Sequence, residues 1–107
     1  MSISAGPVRG LLDAVQRGDN DGFAALFGED GAVDDWGRVF TGRDEVYGWS
    51  AREFLGLGGR LTLRQVGTDG TVLTVDITTR GGYNGPATLT FTLTDDGTRI
   101  RRMTMTD

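Results

Sequence analysis

The stretch that decides the fold of this chain is GAVDDWGRVFTGRDEVYGWSAREFLGL, at Gly31–Leu57. Its first part, Ala32–Trp36, is apolar and then acidic, which is typical of a short strand that ends at a pair of carboxylates. After a turn and a second short extended piece, a helix is predicted from Gly42, with two acidic residues in its first turn that favour the helix dipole. Both tryptophans of the chain lie in this stretch. We therefore expect the other elements to pack around it.

Two further helices are predicted before this stretch. Apolar residues recur at helical spacing between Pro7 and Gly18, and the glycine is a natural helix end. Asp19 is a good N-cap for a second, shorter helix. The apolar side of that helix is predicted to consist of Phe23, Leu26 and Phe27, and Gly28 and Gly31 are expected to bracket its exit. The third helix is predicted to continue to Leu57, where the surrounding glycines end it.

The spacing of apolar residues changes to two from Arg60 onward, which predicts four strands in an antiparallel meander. Turns are expected at 68–70, at 81–85 and at 95–97. Ile100 and Met103 are three residues apart in the last strand, so a bulge at Arg101–Arg102 is predicted. Helices followed by such a sheet indicate an α+β fold. We expect four long strands, short extended segments and three N-terminal helices in a single domain over residues 1–107.

The composition excludes several classes of function. The formal charge of the 107-residue chain is −4, and no basic stripe is present, which argues against a nucleic-acid partner. The sequence lacks cysteine and histidine, so thiol nucleophiles, disulfides and the commonest transition-metal ligands are excluded, and neither a metal nor a cofactor is expected. We find no apolar run long enough for a signal peptide or a membrane span, and expect a cytoplasmic protein without a membrane partner.

Three segments carry a resemblance to a known family: GDNDGFAALFGEDGAVDDWG at Gly18–Gly37, FTGRDEV at Phe40–Val46 and FTLTDDGTRIRRM at Phe91–Met103. Their order and spacing resemble the nuclear transport factor 2-like superfamily, also called SnoaL-like or ketosteroid-isomerase-like. The resemblance implies a cone-shaped, curved sheet wrapped around three helices, with a pocket at its open end. Members include isomerases, polyketide cyclases, epoxide hydrolases, dehydratases and proteins without activity, so the fold alone does not give the function.

Comparison with individual members narrows the chemistry that the resemblance implies. Asp35 resembles the general base of the isomerases, but their two oxyanion donors match Leu11 and Leu89, which cannot donate a hydrogen bond. The water-holding Arg-x-Asp motif of the epoxide hydrolases matches Thr74 and Asp76, and so lacks its arginine. The looser pattern of the polyketide-cyclase-like members, a lone acid/base carboxylate in an apolar pocket, is the one that fits.

The candidate site follows from this comparison and from the aromatic residues. Asp35 is the candidate catalytic residue. The residues expected to bind ligand are Trp36, Tyr47, Trp49, Asp76 and Tyr83. Because strand neighbours point to opposite faces, at most one of Asp34 and Asp35 enters the pocket. The alternatives are that the aromatic residues are plain core, and that Asp76 pairs with Arg64 on the outer face of the sheet.

Two functions remain open at this point. The first is binding of a small apolar or carbonyl-bearing molecule, with isomerase- or cyclase-type proton transfer by Asp35. The second is a non-catalytic module that binds a hydrophobic ligand or forms a homodimer. The resemblance implies that the outer face of the sheet is the dimer surface, here a polar one that contains Thr88, Thr90 and Thr92.

Overall fold

A computed structural model describes residues 6–67 and 69–107. The helices in this part of the chain are α1 (Pro7–Arg17), α2 (Asn20–Ala25) and α3 (Arg43–Glu53), and a short 3-10 helix follows at Leu55–Leu57. The strands are β1 (Phe27–Asp35), β2 (Arg38–Thr41), β3 (Arg60–Val66), β4 (Val72–Thr78), β5 (Gly85–Leu93) and β6 (Ile100–Thr106). The predicted turn at 68–70 includes Thr68, which lies outside the described residues.

The six strands form one curved sheet in the order β2-β1-β6-β5-β4-β3. The predicted α+β fold is confirmed, and β3 to β6 form the predicted antiparallel meander. However, β1 and β6 pair in parallel, a pairing that was not predicted. Local sequence patterns do not contain this information, because the pair joins strands from opposite ends of the chain.

The predicted bulge in β6 is present. Thr92 pairs with Arg102 and Leu93 pairs with Ile100, so Arg101 is the extra residue. The bulge restores the inward direction of Met103, which is buried together with Ile100. A second bulge, at Arg64 in β3, was not predicted.

The region between α2 and β1 differs from the prediction. We expected Phe27 on the second helix and glycines at its exit, but α2 ends at Ala25 and Phe27 already pairs with Ile100 as a strand residue. Gly28 and Gly31 lie in an irregular part of β1, where a Cβ on Gly31 would be 2.8 Å from the carbonyl oxygen of Ile100. These glycines therefore permit a close approach of two backbones instead of ending a helix.

The interior of the cone is filled by side chains. Phe23, Trp49 and Phe54 pack against one another, with ring centroids 5.9 to 6.4 Å apart. Leu11 and Leu89, which the family resemblance matched to oxyanion donors, are buried in the same core. The void among these residues measures only about 10 Å³. This void is too small for an organic molecule, so a ligand must lie nearer the open end of the cone.

α3 is shorter than predicted. The helix ends at Glu53, and Phe54 leaves helical geometry with φ −134° and ψ −90° before the 3-10 helix begins. This break turns the Phe54 ring into the core, while the segment around Leu57 continues along the open end of the cone.

Candidate functional site

A cleft of about 400 Å³ lies at the open end of the cone. It is bounded by the β1–β2 turn, the last turn of α3 with the 3-10 helix, and the loop after β4. Its apolar walls consist of Trp49, Phe54, Leu57, Ile77 and Met105. Its charged side chains are Asp35, Arg38, Arg52 and Glu53. The cleft therefore combines an apolar floor with a charged rim.

The two adjacent carboxylates at the end of β1 point to opposite faces of the sheet. Asp34 pairs with Thr104 on the outer face, whereas Asp35 pairs with Met105 on the inner face. The Asp34 carboxylate accepts hydrogen bonds from Arg102 (2.9 Å) and from the backbone N–H of Gly37 (2.8 Å). The Arg102 bond, followed by the Gly37 bond, lowers the pKa of Asp34. Strand alternation thus leaves Asp35 as the carboxylate that reaches the cleft.

Asp35 is oriented by two donors. The indole Nε1 of Trp49 donates a hydrogen bond of 3.1 Å to its Oδ2, and the guanidinium of Arg38 forms an ion pair with the same oxygen. The Asp35 side chain is 13 % exposed. Its carboxylate is therefore accessible and fixed in position, but it is not an isolated charge in an apolar pocket.

Arg38 connects two carboxylates across the cleft rim. Its Nη1 donates to Glu53 Oε2 at 3.2 Å, and its Nη2 contacts both Glu53 and Asp35. The hydrogen bond to Glu53, followed by the one to Asp35, raises the pKa of Arg38 above its usual value. The guanidinium also lies 5.6 Å from the centre of the Phe40 ring. Arg38 is therefore a permanent cation that is already engaged on both sides.

Two aromatic rings stand at the mouth of the cleft. The ring centroids of Trp36 and Tyr83 are 4.8 Å apart, and the residues are 36 % and 43 % exposed. Trp36 Nε1 donates to Asp107 (2.8 Å), and the Tyr83 hydroxyl donates to the carbonyl of Pro86 (2.6 Å). Trp36 also has φ 47°, a left-handed conformation that is uncommon outside glycine. The rings are thus held by their polar ends, while much of their apolar surface remains open.

The structure brings four of the predicted site residues to the cleft: Asp35, Trp36, Trp49 and Tyr83. Trp49 is both wall and core, since only 2 % of it is exposed. Tyr47 is not in the cleft, because it lies on the exposed side of α3. Asp76 is also outside it, on the outer face of β4, where it forms an ion pair with Arg64. This pairing is the alternative interpretation that the sequence left open.

Sequence reasoning assigned no role to three charged residues of the cleft. Arg38 could have been paired with Asp35, because the two residues face each other across a tight turn. Glu53 follows Trp49 by one helical turn and so lies on the same side of α3. Arg52 carried no such signal, since its place in the cleft depends on how α3 packs.

No metal-ion site is formed by the residues that the structure describes, as no three acidic side chains converge in a suitable group. Within residues 6–67 and 69–107, no helix is both long and apolar enough to cross a membrane. What the cleft offers chemically is two carboxylates, two guanidinium groups and an aromatic mouth.

The sequence model of the SnoaL-like domain matches residues 8–105. The chain belongs to the SnoaL-like domain family. Its fold places it in the nuclear transport factor 2-like superfamily, as the sequence segments indicated. A search of curated protein sequences gives no match.

Solved structures with the same fold include three of interest for this SnoaL-like domain. A provisionally assigned polyketide cyclase from Sinorhizobium meliloti is 21 % identical, with a TM-score of 0.74 over 94 % of this chain and 93 % of that one. A provisionally assigned ketosteroid isomerase from Kribbella flavida is 20 % identical, with a TM-score of 0.73 over 92 % and 73 %. A Mycobacterium tuberculosis protein in complex with estradiol-17β-hemisuccinate is 16 % identical, with a TM-score of 0.74 over 94 % and 93 %. At these identities the likeness concerns the fold.

Proposed function

We propose that this SnoaL-like domain binds a small, largely apolar, carbonyl-bearing molecule in the cleft at the open end of its cone. The observation that carries the proposal is the cleft itself, whose volume of about 400 Å³ falls within the range of ligand pockets. Apolar walls with a few convergent polar groups are typical of such pockets. The steroid ester held by the Mycobacterium tuberculosis neighbour supports a small-molecule ligand for this fold.

The aromatic mouth is the part of the cleft that gains most from an apolar ligand. Trp36 and Tyr83 expose ring surface to water although hydrogen bonds hold both side chains in place. A planar ligand that covers these rings removes apolar area from water without ordering new side chains, which reduces the entropic cost of binding.

Calorimetric titration with 2-acetylnaphthalene, a small aromatic ketone, tests this proposal. We expect saturable binding, and we expect Tyr83→Ala to weaken it by up to about tenfold, since an aromatic contact contributes roughly 0.5–1.5 kcal/mol beyond area burial. Tyr47→Ala is the matched control, because Tyr47 has the same exposure, 43 %, but lies outside the cleft. Equal affinities for the two variants would argue against the cleft as the binding site.

Proton transfer by Asp35 is the second candidate function. The Trp49 and Arg38 contacts aim one carboxylate at the cleft, where it can remove a proton from a carbon next to a carbonyl and return it. Two features weigh against efficient catalysis. Oδ2 of Asp35 is already in contact with both Arg38 and Trp49, and Leu11 and Leu89 provide no donors for the oxyanion.

Deuterium exchange distinguishes the two candidates. Abstraction of a methyl proton of 2-acetylnaphthalene gives an enolate and a protonated Asp35, and return of a deuteron in D₂O labels the ketone. If Asp35 is an acid/base catalyst, the protein accelerates labelling and Asp35→Asn abolishes the acceleration while the variant remains folded. Binding without accelerated labelling leaves the domain as a non-catalytic binder.

As an alternative role, we propose that the domain forms a homodimer through the outer face of its sheet. Thr90 and Thr92 are exposed on this face, and ion pairs between Arg64 and Asp76 and between Arg102 and Asp34 lie on it. Such a surface supports a polar interface.

A further inference from the structure

The two arginines of the cleft have different surroundings. Arg38 is engaged by both Asp35 and Glu53, so its single positive charge is already shared between two carboxylates. Arg52 lines the same cleft and is exposed. Within residues 6–67 and 69–107 it forms no ion pair with a carboxylate. It is therefore the cleft cation that remains available to a ligand.

Gly48 leaves space for the Arg52 side chain. The two residues are one helical turn apart on α3, and a Cβ on Gly48 would be only 2.8 Å from Nη1 of Arg52. The guanidinium thus lies back along the helix, over the place where another residue would carry its side chain. A glycine inside a helix is destabilising relative to alanine. At this position the glycine makes room for the planar guanidinium of Arg52 on the wall of the cleft.

We propose that the ligand is an aromatic carboxylate. Its ring system packs against Trp36 and Tyr83, and its carboxylate accepts paired hydrogen bonds from the Arg52 guanidinium, whose planar arrangement of donors matches a carboxylate. This inference rests on the proposed function, because it assigns a chemical class to the ligand of the same cleft. It adds a charge to that ligand and names the residue that recognises it.

The test compares two probes of the same size, 2-naphthoate and the neutral 2-acetylnaphthalene, by calorimetry at low salt. We expect the wild type to prefer naphthoate by roughly tenfold, as hydrogen bonds to charged groups are the stronger ones. Arg52→Gln is expected to remove this preference, with a smaller effect on the affinity for the ketone than on that for naphthoate. Arg52→Lys keeps the charge and is expected to retain part of the preference. The preference is expected to shrink as salt is added.

Arg80→Gln is the matched control, because Arg80 is an exposed arginine near the same end of the molecule but does not line the cleft. This variant changes the net charge equally and is expected to keep the preference for naphthoate. Equal binding of the two probes by the wild type would overturn the assignment to carboxylates, while the small-molecule function would stand. An equal loss of preference in Arg80→Gln and Arg52→Gln would overturn the role of Arg52. Failure of both probes to bind would overturn the proposed function together with this inference.

Discussion

The contact between Trp49 and Asp35 joins the core of the domain to its cleft. The Trp49 ring packs on Phe23 and Phe54 in the interior, while its Nε1 donates to a carboxylate at the cleft. One side chain thus fills the cone and orients the candidate acid/base group. The hydrogen bond satisfies a donor that would otherwise be buried without a partner.

Trp49→Phe tests this double role. The change keeps an aromatic ring but removes the indole donor and part of the buried volume, so we expect a loss of about 1–3 kcal/mol in the free energy of unfolding. Urea denaturation measures the loss. Tyr47→Phe, an exposed ring change on the same helix, is expected to stay within about 0.5 kcal/mol. Similar small effects in both variants would contradict the role given to Trp49.

At the level of elements, the turn between β5 and β6 is held by one carboxylate. Oδ1 of Asp96 accepts hydrogen bonds from the hydroxyl of Thr94 (2.7 Å) and from the backbone N–H (3.0 Å) and hydroxyl (2.8 Å) of Thr98. The Thr94 bond, followed by those of Thr98, lowers the pKa of Asp96 to about 2 from its ordinary value of 3.8. The turn therefore depends on the ionised form of this side chain.

Asp96 makes the stability of the domain depend on pH in the acid range. Its pKa is lower in the folded than in the unfolded chain, so its contribution is complete above the ordinary value of 3.8 and is lost as the pH falls towards about 2. We expect Asp96→Asn to lower the urea midpoint near neutral pH and to flatten its decline over this range. Asp95→Asn is the control from the same turn, since the side chain of Asp95 is 98 % exposed. An unchanged pH profile in Asp96→Asn would contradict this account.

The elements show which parts of the structure can be predicted from sequence. Ile100 and Met103 revealed the β6 bulge, because their spacing cannot be met by regular alternation. The β1 bulge at Gly28 and Gly31 was missed, since glycines near a helix signal its end as readily as a close approach of two backbones. The parallel partner of β1 was missed because strand direction across the whole chain leaves no local pattern.

The candidate site was likewise predicted only in part from the sequence. Alternation and the family resemblance pointed to Asp35, and the described cleft contains it. Tyr47 was misplaced because helical spacing alone does not determine how α3 rotates against the sheet. Arg52 and Glu53 reach the cleft through tertiary packing. The charged residues that line a cleft depend on how helices and strands pack together, and local sequence patterns do not determine that packing.

At the scale of the whole molecule, the domain has two separate surfaces for its two proposed roles. The cleft opens at the end of the cone, and the threonine-rich outer face covers the back of the sheet. Thr90 lies centrally on that face, with Val72 and Thr104 as its neighbours on the adjacent strands. A change there can affect assembly without touching the cleft.

Thr90→Arg tests the homodimer. If two copies pair through this face, the bulky charge would disrupt the dimer, and size-exclusion chromatography with light scattering is expected to show a monomer. Thr41→Arg is the control, because Thr41 is also exposed but lies at the sheet edge, on β2. A dimer that persists in Thr90→Arg would place the interface elsewhere, and a monomeric wild type would remove the dimer proposal.

The small-molecule cleft is tested most directly by the two indole N–H signals in an NMR titration with 2-acetylnaphthalene. The chain has two tryptophans, and the structure places Trp36 at the mouth of the cleft and Trp49 on its wall. The account predicts that both indole signals shift in a saturable manner, together with the backbone signals of residues 79–83. Indole signals that stay in place while the ligand shifts signals of the outer sheet face, or shifts none, would contradict it.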